Sequence, residues 1–107
     1  MDKFYTYILR CSDNSLYTGI TTDPARRLSE HKAKNEKSTK YTRRHEAVKF
    51  ECLWGSDSRS LASKLEFHLK TLSKIKKEQL ILNPNLLSEL LGDKIAFEDY
   101  TNIKTDD

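Results

Sequence analysis

The stretch Leu16 to His31, LYTGITTDPARRLSEH, holds an aromatic hydroxyl, a glycine, two arginines and a histidine within sixteen residues. Tyr17, Arg27 and His31 are side chains that can do chemistry on an oxyanion. A guanidinium is permanently charged and planar, and its fork fits phosphate oxygens. An imidazole titrates near neutral pH and passes protons. A phenol has a pKa near ~10 and takes a proton only where its anion is favoured by a nearby positive charge. Each also has a structural reading: tyrosines pack in strands, an arginine on a helix is often solvated, and a histidine often sits on the surface. Taken singly, these residues leave both readings open.

The elements that must position them are legible from pattern. Phe4 to Arg10 is rich in aromatic and branched residues and predicts a strand. Ser12-Asp13-Asn14-Ser15 is a turn cluster, and Leu16 to Thr21 predicts a second strand, closing a hairpin. Gly19 inside that strand marks a bulge or a close backbone approach. Thr22-Asp23-Pro24 announces a helix from Ala25 to about Lys34, with a capping side chain followed by proline in the first turn. On it Arg27 and His31 are four apart and share a face, and Leu28 can turn to the core.

Residues 33–46 are polar and basic and read as a loop. Ala47 to Trp54 predicts a third strand, with Val48, Phe50, Cys52 and Trp54 on one buried face. Ser60 to Leu72 predicts an amphipathic helix striped by Leu61, Ala62, Leu65, Leu69 and Leu72, with Glu66 at the stripe's edge. Ser73 can cap a further helix, Lys74 to about Leu82, which Asn83-Pro84 breaks. Leu86-Leu87 and Leu90-Leu91 suggest one more helical piece, ended by Gly92. The predicted class is α+β, a three-stranded antiparallel sheet flanked by helices in the order β-β-α-β-α-α. Residues 1–84 form the predicted domain. Residues 85–107 are predicted to be a short helical appendage and an acidic, flexible tail.

Charge divides at the same place. Residues 1–84 hold 17 Lys and Arg against 10 Asp and Glu, a net +7, whereas residues 85–107 hold 2 against 6, a net −4. A basic body points to a polyanionic partner, with a solvated lysine-rich surface as the plainer alternative. Lys34, Lys37, Lys40, Arg43 and Arg44 crowd the loop and suit contacts to a nucleic-acid backbone, with Tyr41 available to stack on a base. No apolar run approaches the ~20 residues that span a bilayer, so no membrane partner is predicted. The start MDKFYTYILRC is not of secretory type. Two isolated cysteines, Cys11 and Cys52, then predict reduced thiols, a cytoplasmic location and no structural zinc.

Two tyrosine-bearing strand motifs about ten residues apart, an Arg-x3-His helix and a later helix with a lone glutamate resemble the GIY-YIG nuclease superfamily. The likeness is to its small stand-alone bacterial branch and covers roughly residues 4–82. Tyr5-Thr6-Tyr7 stands at the first motif and Tyr17-Thr18-Gly19 at the second. The resemblance implies catalytic roles for Tyr7, Tyr17, Arg27, His31 and Glu66. It makes Glu66 the ligand of Mg²⁺ or Mn²⁺ and implies no small-molecule cofactor. The first motif's glycine is Tyr5 here, and Thr21 falls where some members carry lysine.

What the resemblance implies is a monomeric, divalent-metal-dependent endonuclease that hydrolyses phosphodiester bonds, DNA before RNA. One carboxylate holding a mostly hydrated ion is ordinary for Mg²⁺. Arg27 would stabilise transition-state charge, Tyr17 would orient or deprotonate water, His31 would relay the proton or position Tyr17, and Tyr7 would complete the hydrogen-bonded wall. The alternative is a nucleic-acid-binding module of the same fold without useful turnover. A third reading is an interaction domain that uses the leucines at 86–91.

Overall fold

The computed structural model describes residues 4–33, 41 and 44–103. Strand β1 (Phe4–Cys11) turns through residues 12–15 into β2 (Leu16–Thr21). Asn14 takes the left-handed backbone (φ 69°) that closes the turn, a conformation asparagine tolerates better than most residues. Helix α1 (Pro24–Ala33) follows at once. The Asp23 carboxylate accepts the Arg26 N–H at 3.2 Å and caps it. Strand β3 (Ala47–Ser56) leads into α2 (Arg59–Lys70) and α3 (Lys74–Leu82), capped by Ser58 and Ser73 through the Leu61 and Lys76 N–H groups. A 3₁₀ turn (Pro84–Leu86), the short α4 (Leu87–Leu91) and a second 3₁₀ turn (Phe97–Asp99) bring the chain to β4 (Thr101–Asn102).

The antiparallel sheet has the order β2-β1-β3-β4, so it is four-stranded rather than three-stranded. The fourth strand was invisible to pattern because it is two exposed residues long. It pairs Thr101 with Gly55 and Asn102 with Trp54. Helices cover both faces. On one, Ile8, Cys52 and Trp54 pack with Leu65 and Leu69 of α2, Leu80 of α3 and Leu87 and Leu91 of α4. On the other, Tyr7, Leu9, Phe50 and Leu53 pack with Leu28 of α1.

This two-sided burial corrects the single buried face expected for β3. A register shift between Ile8 and Leu9 pairs Ile8 with Cys52 but Leu9 with Phe50, leaving Glu51 as an extra residue. The bulge breaks the strict alternation. Phe50 therefore joins Leu53 and not Cys52, and Val48 is exposed. Glu51 turns to Arg10, whose Nε donates to its carboxylate at 2.8 Å while both terminal nitrogens grip Glu78 of α3 at 2.6 Å. Both cysteines are free and buried. Burial pushes the Cys52 thiol up to about 12, which leaves it unreactive.

The expected flexible tail is the second correction. Ile95 and Tyr100 are 5% and 8% exposed and belong to the α2-side core. The Tyr100 hydroxyl donates to the Leu61 carbonyl at 2.7 Å, and the Ile103 N–H donates to the Leu53 carbonyl at 2.8 Å. The anchors Ile95 and Tyr100 stand in a short acidic segment without helical or strand periodicity, which hides the packing from pattern. Residues 104–107 lie outside the described residues. A chain ending at Asp93 loses both anchors and is expected to lose on the order of 3–5 kcal/mol of stability. Urea denaturation checks this; a midpoint equal to that of the full chain would show that the segment contributes nothing.

Candidate functional site

Strand β1 carries Tyr7, and its antiparallel partner in β2 is Gly19; Tyr17 pairs with Leu9, one diagonal step away on the same face. Helix α1 lays Arg27 and His31 over that face. Tyr7 is 1% exposed and His31 is fully buried. The Tyr7 hydroxyl and His31 Nε2 are 2.8 Å apart, and Arg27 also bonds the Tyr7 hydroxyl. A guanidinium has donors only, so the phenol oxygen accepts from Arg27. We assign the phenol proton to Nε2, which leaves the imidazole's own proton on Nδ1. The Tyr17 ring meets the His31 ring edge-on at 5.6 Å. His31 therefore bonds Tyr7, whereas the sequence expected it to serve Tyr17.

Electrostatics follow from burial. Burial is the main cause that pushes the Tyr7 phenol up to about 12; Tyr17 and Glu66 act in the same direction, and Arg27 opposes. Glu66, on α2, is thus close enough for its charge to be felt at Tyr7. Burial first, and the Arg27 charge second, push the His31 imidazole down to about 4. His31 is neutral at neutral pH, as a hydrogen-bond acceptor for Tyr7 must be. Arg27 also donates from Nη1 to Glu30 at 2.9 Å.

Gly19 makes the arrangement possible. A Cβ there would stand 2.5 Å from the Tyr7 hydroxyl oxygen and 2.8 Å from its Cζ. The pairing through Gly19 is regular, so of the two sequence readings the close approach holds and the bulge does not.

Glu66 sits one turn beyond Ala62, whose carbonyl accepts the buried Thr6 hydroxyl at 3.0 Å. Its side chain is 24% exposed and pairs with Lys70 at 3.2 Å. Among the described residues, no three His, Cys, Asp or Glu side chains gather as a ready-made metal cage. A lone, solvent-reached carboxylate is the donor that a largely hydrated Mg²⁺ or Mn²⁺ requires, so Glu66 fits such an ion.

Of the basic residues predicted to touch nucleic acid, Arg44 is exposed, while Lys34, Lys37, Lys40 and Arg43 lie outside the described residues. The Tyr41 ring lies 5.5 Å from Tyr17 and stacks on His45 at 4.3 Å. His45 bonds the Asp13 carboxylate, and hydrogen bonds from Ser15 first and His45 second hold that carboxyl down at about 2. Sequence reasoning also passed over Glu30. Its spacing three after Arg27 was the available signal, since such residues are neighbours on a helix.

An edge-bound hairpin, a helix carrying Arg27 and His31, and a second helix carrying Glu66 define a small α+β domain of the nuclease-like kind. A family model described as the GIY-YIG catalytic domain matches residues 3–79. The chain belongs to the GIY-YIG family. It is 44% identical over 82 residues to a UPF0213 protein of Fusobacterium nucleatum, covering 77% of this chain and 80% of that one. It is 46% identical over 82 residues to a UPF0213 protein of Haloquadratum walsbyi, covering 74% and 86%. With a UPF0213 protein of Yersinia enterocolitica it shares 44% over 89 residues, covering 82% and 90%. The solution NMR structure of the UPF0213 protein BH0048 from Bacillus halodurans is 42% identical, with a TM-score of 0.43 over 73% of this chain and 81% of that one. No helix of the described residues is long and apolar enough to cross a membrane.

Two outcomes are expected. Gly19→Ala forces the pinned Tyr7 hydroxyl to move, at a cost of about 1–3 kcal/mol, and loosens its bond to His31. Urea denaturation reads the first effect and a tyrosine absorbance titration the second; an unchanged pair would show that Tyr7 adapts freely. The second outcome concerns pH. The folded-state pKa of His31 is lowered from 6.5 to about 4. The unfolded chain therefore binds the extra proton first as pH falls. Stability from this group is complete above pH ~6.5 and lost toward pH ~4, by on the order of 3 kcal/mol. His31→Gln keeps an acceptor for Tyr7 but takes up no proton, so its stability should fall less over that window. Equal slopes for both proteins would refute the assignment.

Proposed function

We propose that this protein is an endonuclease that hydrolyses phosphodiester bonds of nucleic acid, DNA before RNA, with the help of a divalent cation. The observation that carries the reading is the convergence of Tyr7, Tyr17, Arg27 and His31 on one face, within reach of the Glu66 charge. The family matched by the chain supports it.

In this reading Arg27 meets the charge that develops on the phosphoryl oxygens. Its guanidinium is already held by Tyr7 and Glu30, so little reorganisation is needed when the substrate arrives. Tyr17 is only partly buried and orients the attacking water. Tyr7, raised to about 12, stays a phenol and acts as an anchor. Its O–H donates to His31 Nε2 and its oxygen accepts from Arg27. Glu66 would hold Mg²⁺ or Mn²⁺, which when bound supplies Lewis-acid stabilisation to the leaving oxygen. Lys34, Lys37, Lys40, Arg43 and Arg44 would follow the backbone, and Tyr41 extends the aromatic surface from Tyr17. The protein would work in the cytoplasm as a monomer.

A binding module without turnover is the second reading. The Glu66–Lys70 ion pair favours it, because the lysine competes with a metal for the carboxylate. One experiment separates the two: cleavage of duplex, flap, branched and single-stranded substrates with and without Mg²⁺ or Mn²⁺. Wild type should cut in a metal-dependent way. Glu66→Gln keeps size and helix propensity and should fold and bind while losing nearly all metal-stimulated cleavage. Arg27→Ala should lose about 100-fold or more in rate, as expected for removing a single ~3 kcal/mol electrostatic donor. Retention without cleavage by wild type would establish the binding module, and full activity of Glu66→Gln in saturating Mg²⁺ would remove Glu66 as the metal ligand.

A further inference from the structure

Beside the tyrosine cluster lies a pocket of about 280 Å³ whose walls include Thr21, Thr22, Arg26, Arg27, Glu30 and Arg59. It is built by four elements: Phe4 at the start of β1, the end of β2, the first turns of α1 and the first residue of α2. Three guanidinium groups line it against one carboxylate. Glu30 is engaged by Arg27 at 2.9 Å and more loosely by Arg26 at 3.8 Å. Arg59 also lines it, is exposed and makes no ion pair among the described residues.

Arg27 belongs to both places. It bonds Tyr7 on one side and lines the pocket on the other. A group seated in the pocket is therefore adjacent to whatever phosphate Arg27 holds at the tyrosines. The Thr21 hydroxyl is already bonded to Asp23, and three guanidinium groups against one carboxylate suit a tetrahedral oxyanion with several acceptor oxygens.

We propose that this pocket seats a second backbone phosphate of the nucleic-acid strand, next to the one held at the tyrosine cluster, and that Arg59 and Arg26 are its ligands. The inference rests on the nucleic-acid reading of the site but not on cleavage. A phosphate contact of this kind positions the strand and carries no base information. It would fix the register of the strand across Arg27 and leave sequence preference to other parts of the complex.

The test is equilibrium binding of a fluorescent single-stranded and a duplex oligonucleotide without divalent cation, across a salt series. Arg59→Gln should weaken binding about 3- to 10-fold, uniformly across sequences, and reduce the salt slope by about 1, as for loss of one phosphate contact. Arg59→Lys should keep most of the affinity. Lys76→Gln is the charge-matched control. It lies on α3, which Arg10 and Glu78 tie to the far end of β1 from Phe4; seven residues of strand amount to roughly 20 Å. Where cleavage is measurable, Arg59→Gln should raise KM and leave kcat near wild type. Arg59→Gln that binds like Lys76→Gln, with an unchanged salt slope, would overturn the proposal even if wild type cuts. A wild type that binds without cutting, yet responds to Arg59→Gln as stated, keeps the phosphate seat and sinks the nuclease reading alone. A wild type with no affinity for either oligonucleotide would sink both.

Discussion

The seat of the Tyr7 hydroxyl is the constraint on which the site depends. It is a polar group at 1% exposure, and a buried hydroxyl without partners is costly. Its two partners, His31 Nε2 and the Arg27 guanidinium, both come from α1. The requirement to satisfy one phenol therefore sets the rotation of α1 on the sheet and the distance at which it packs. Gly19 provides the room, since any side chain there would strike the hydroxyl. A single strand pairing, Tyr7 with Gly19, thus couples backbone register to the placement of the arginine.

The next residue back does the corresponding work on the other face. Successive residues of a strand point to opposite sides. Tyr7 reaches α1, and Thr6 reaches α2, donating to the Ala62 carbonyl. Tyr100 holds the same helix at the Leu61 carbonyl from the far side. Glu66 is one helical turn beyond these two anchors. The arginine and the glutamate are accordingly referred to adjacent residues of one strand, although their helices belong to different layers. The C-terminal segment, outside the matched family region, contributes to that placement through Tyr100.

Much of this was legible in the sequence, for reasons that can be named. The hairpin, α1 and its Asp23 cap, and α2 with its leucine stripe all rest on local signals that tertiary packing reinforced. Phe50 was misplaced because a bulge depends on the partner strand, and only the observed pairing of Leu9 with Phe50 exposes the extra residue at Glu51. Residues 95–103 were misread because their anchoring is non-local: Ile95 and Tyr100 show no local periodicity and are packed by elements far back in the chain. At the site, residue types and the Arg27–His31 spacing placed both on one face of α1. What they could not give was the partner: His31 bonds Tyr7, not Tyr17, because the strand register, and not helix periodicity, decides which phenol lies beneath it.

The charge state of His31 is the other consequence of that geometry. An imidazolium beside Arg27 would place two cations in a buried site with Glu30 as the nearby acid. Burial and the Arg27 charge both oppose that state, and both are met by leaving the imidazole neutral. Neutrality in turn frees Nε2 to accept the Tyr7 proton, which frees the Tyr7 oxygen to accept from Arg27. With that assignment the chain of donors runs in one direction, from guanidinium to phenol to imidazole. Near neutral pH the positive charge at this cluster is concentrated on Arg27, a group that does not titrate there. The field presented to an approaching oxyanion is then fixed by the fold and insensitive to pH until the imidazole itself is forced to take up a proton.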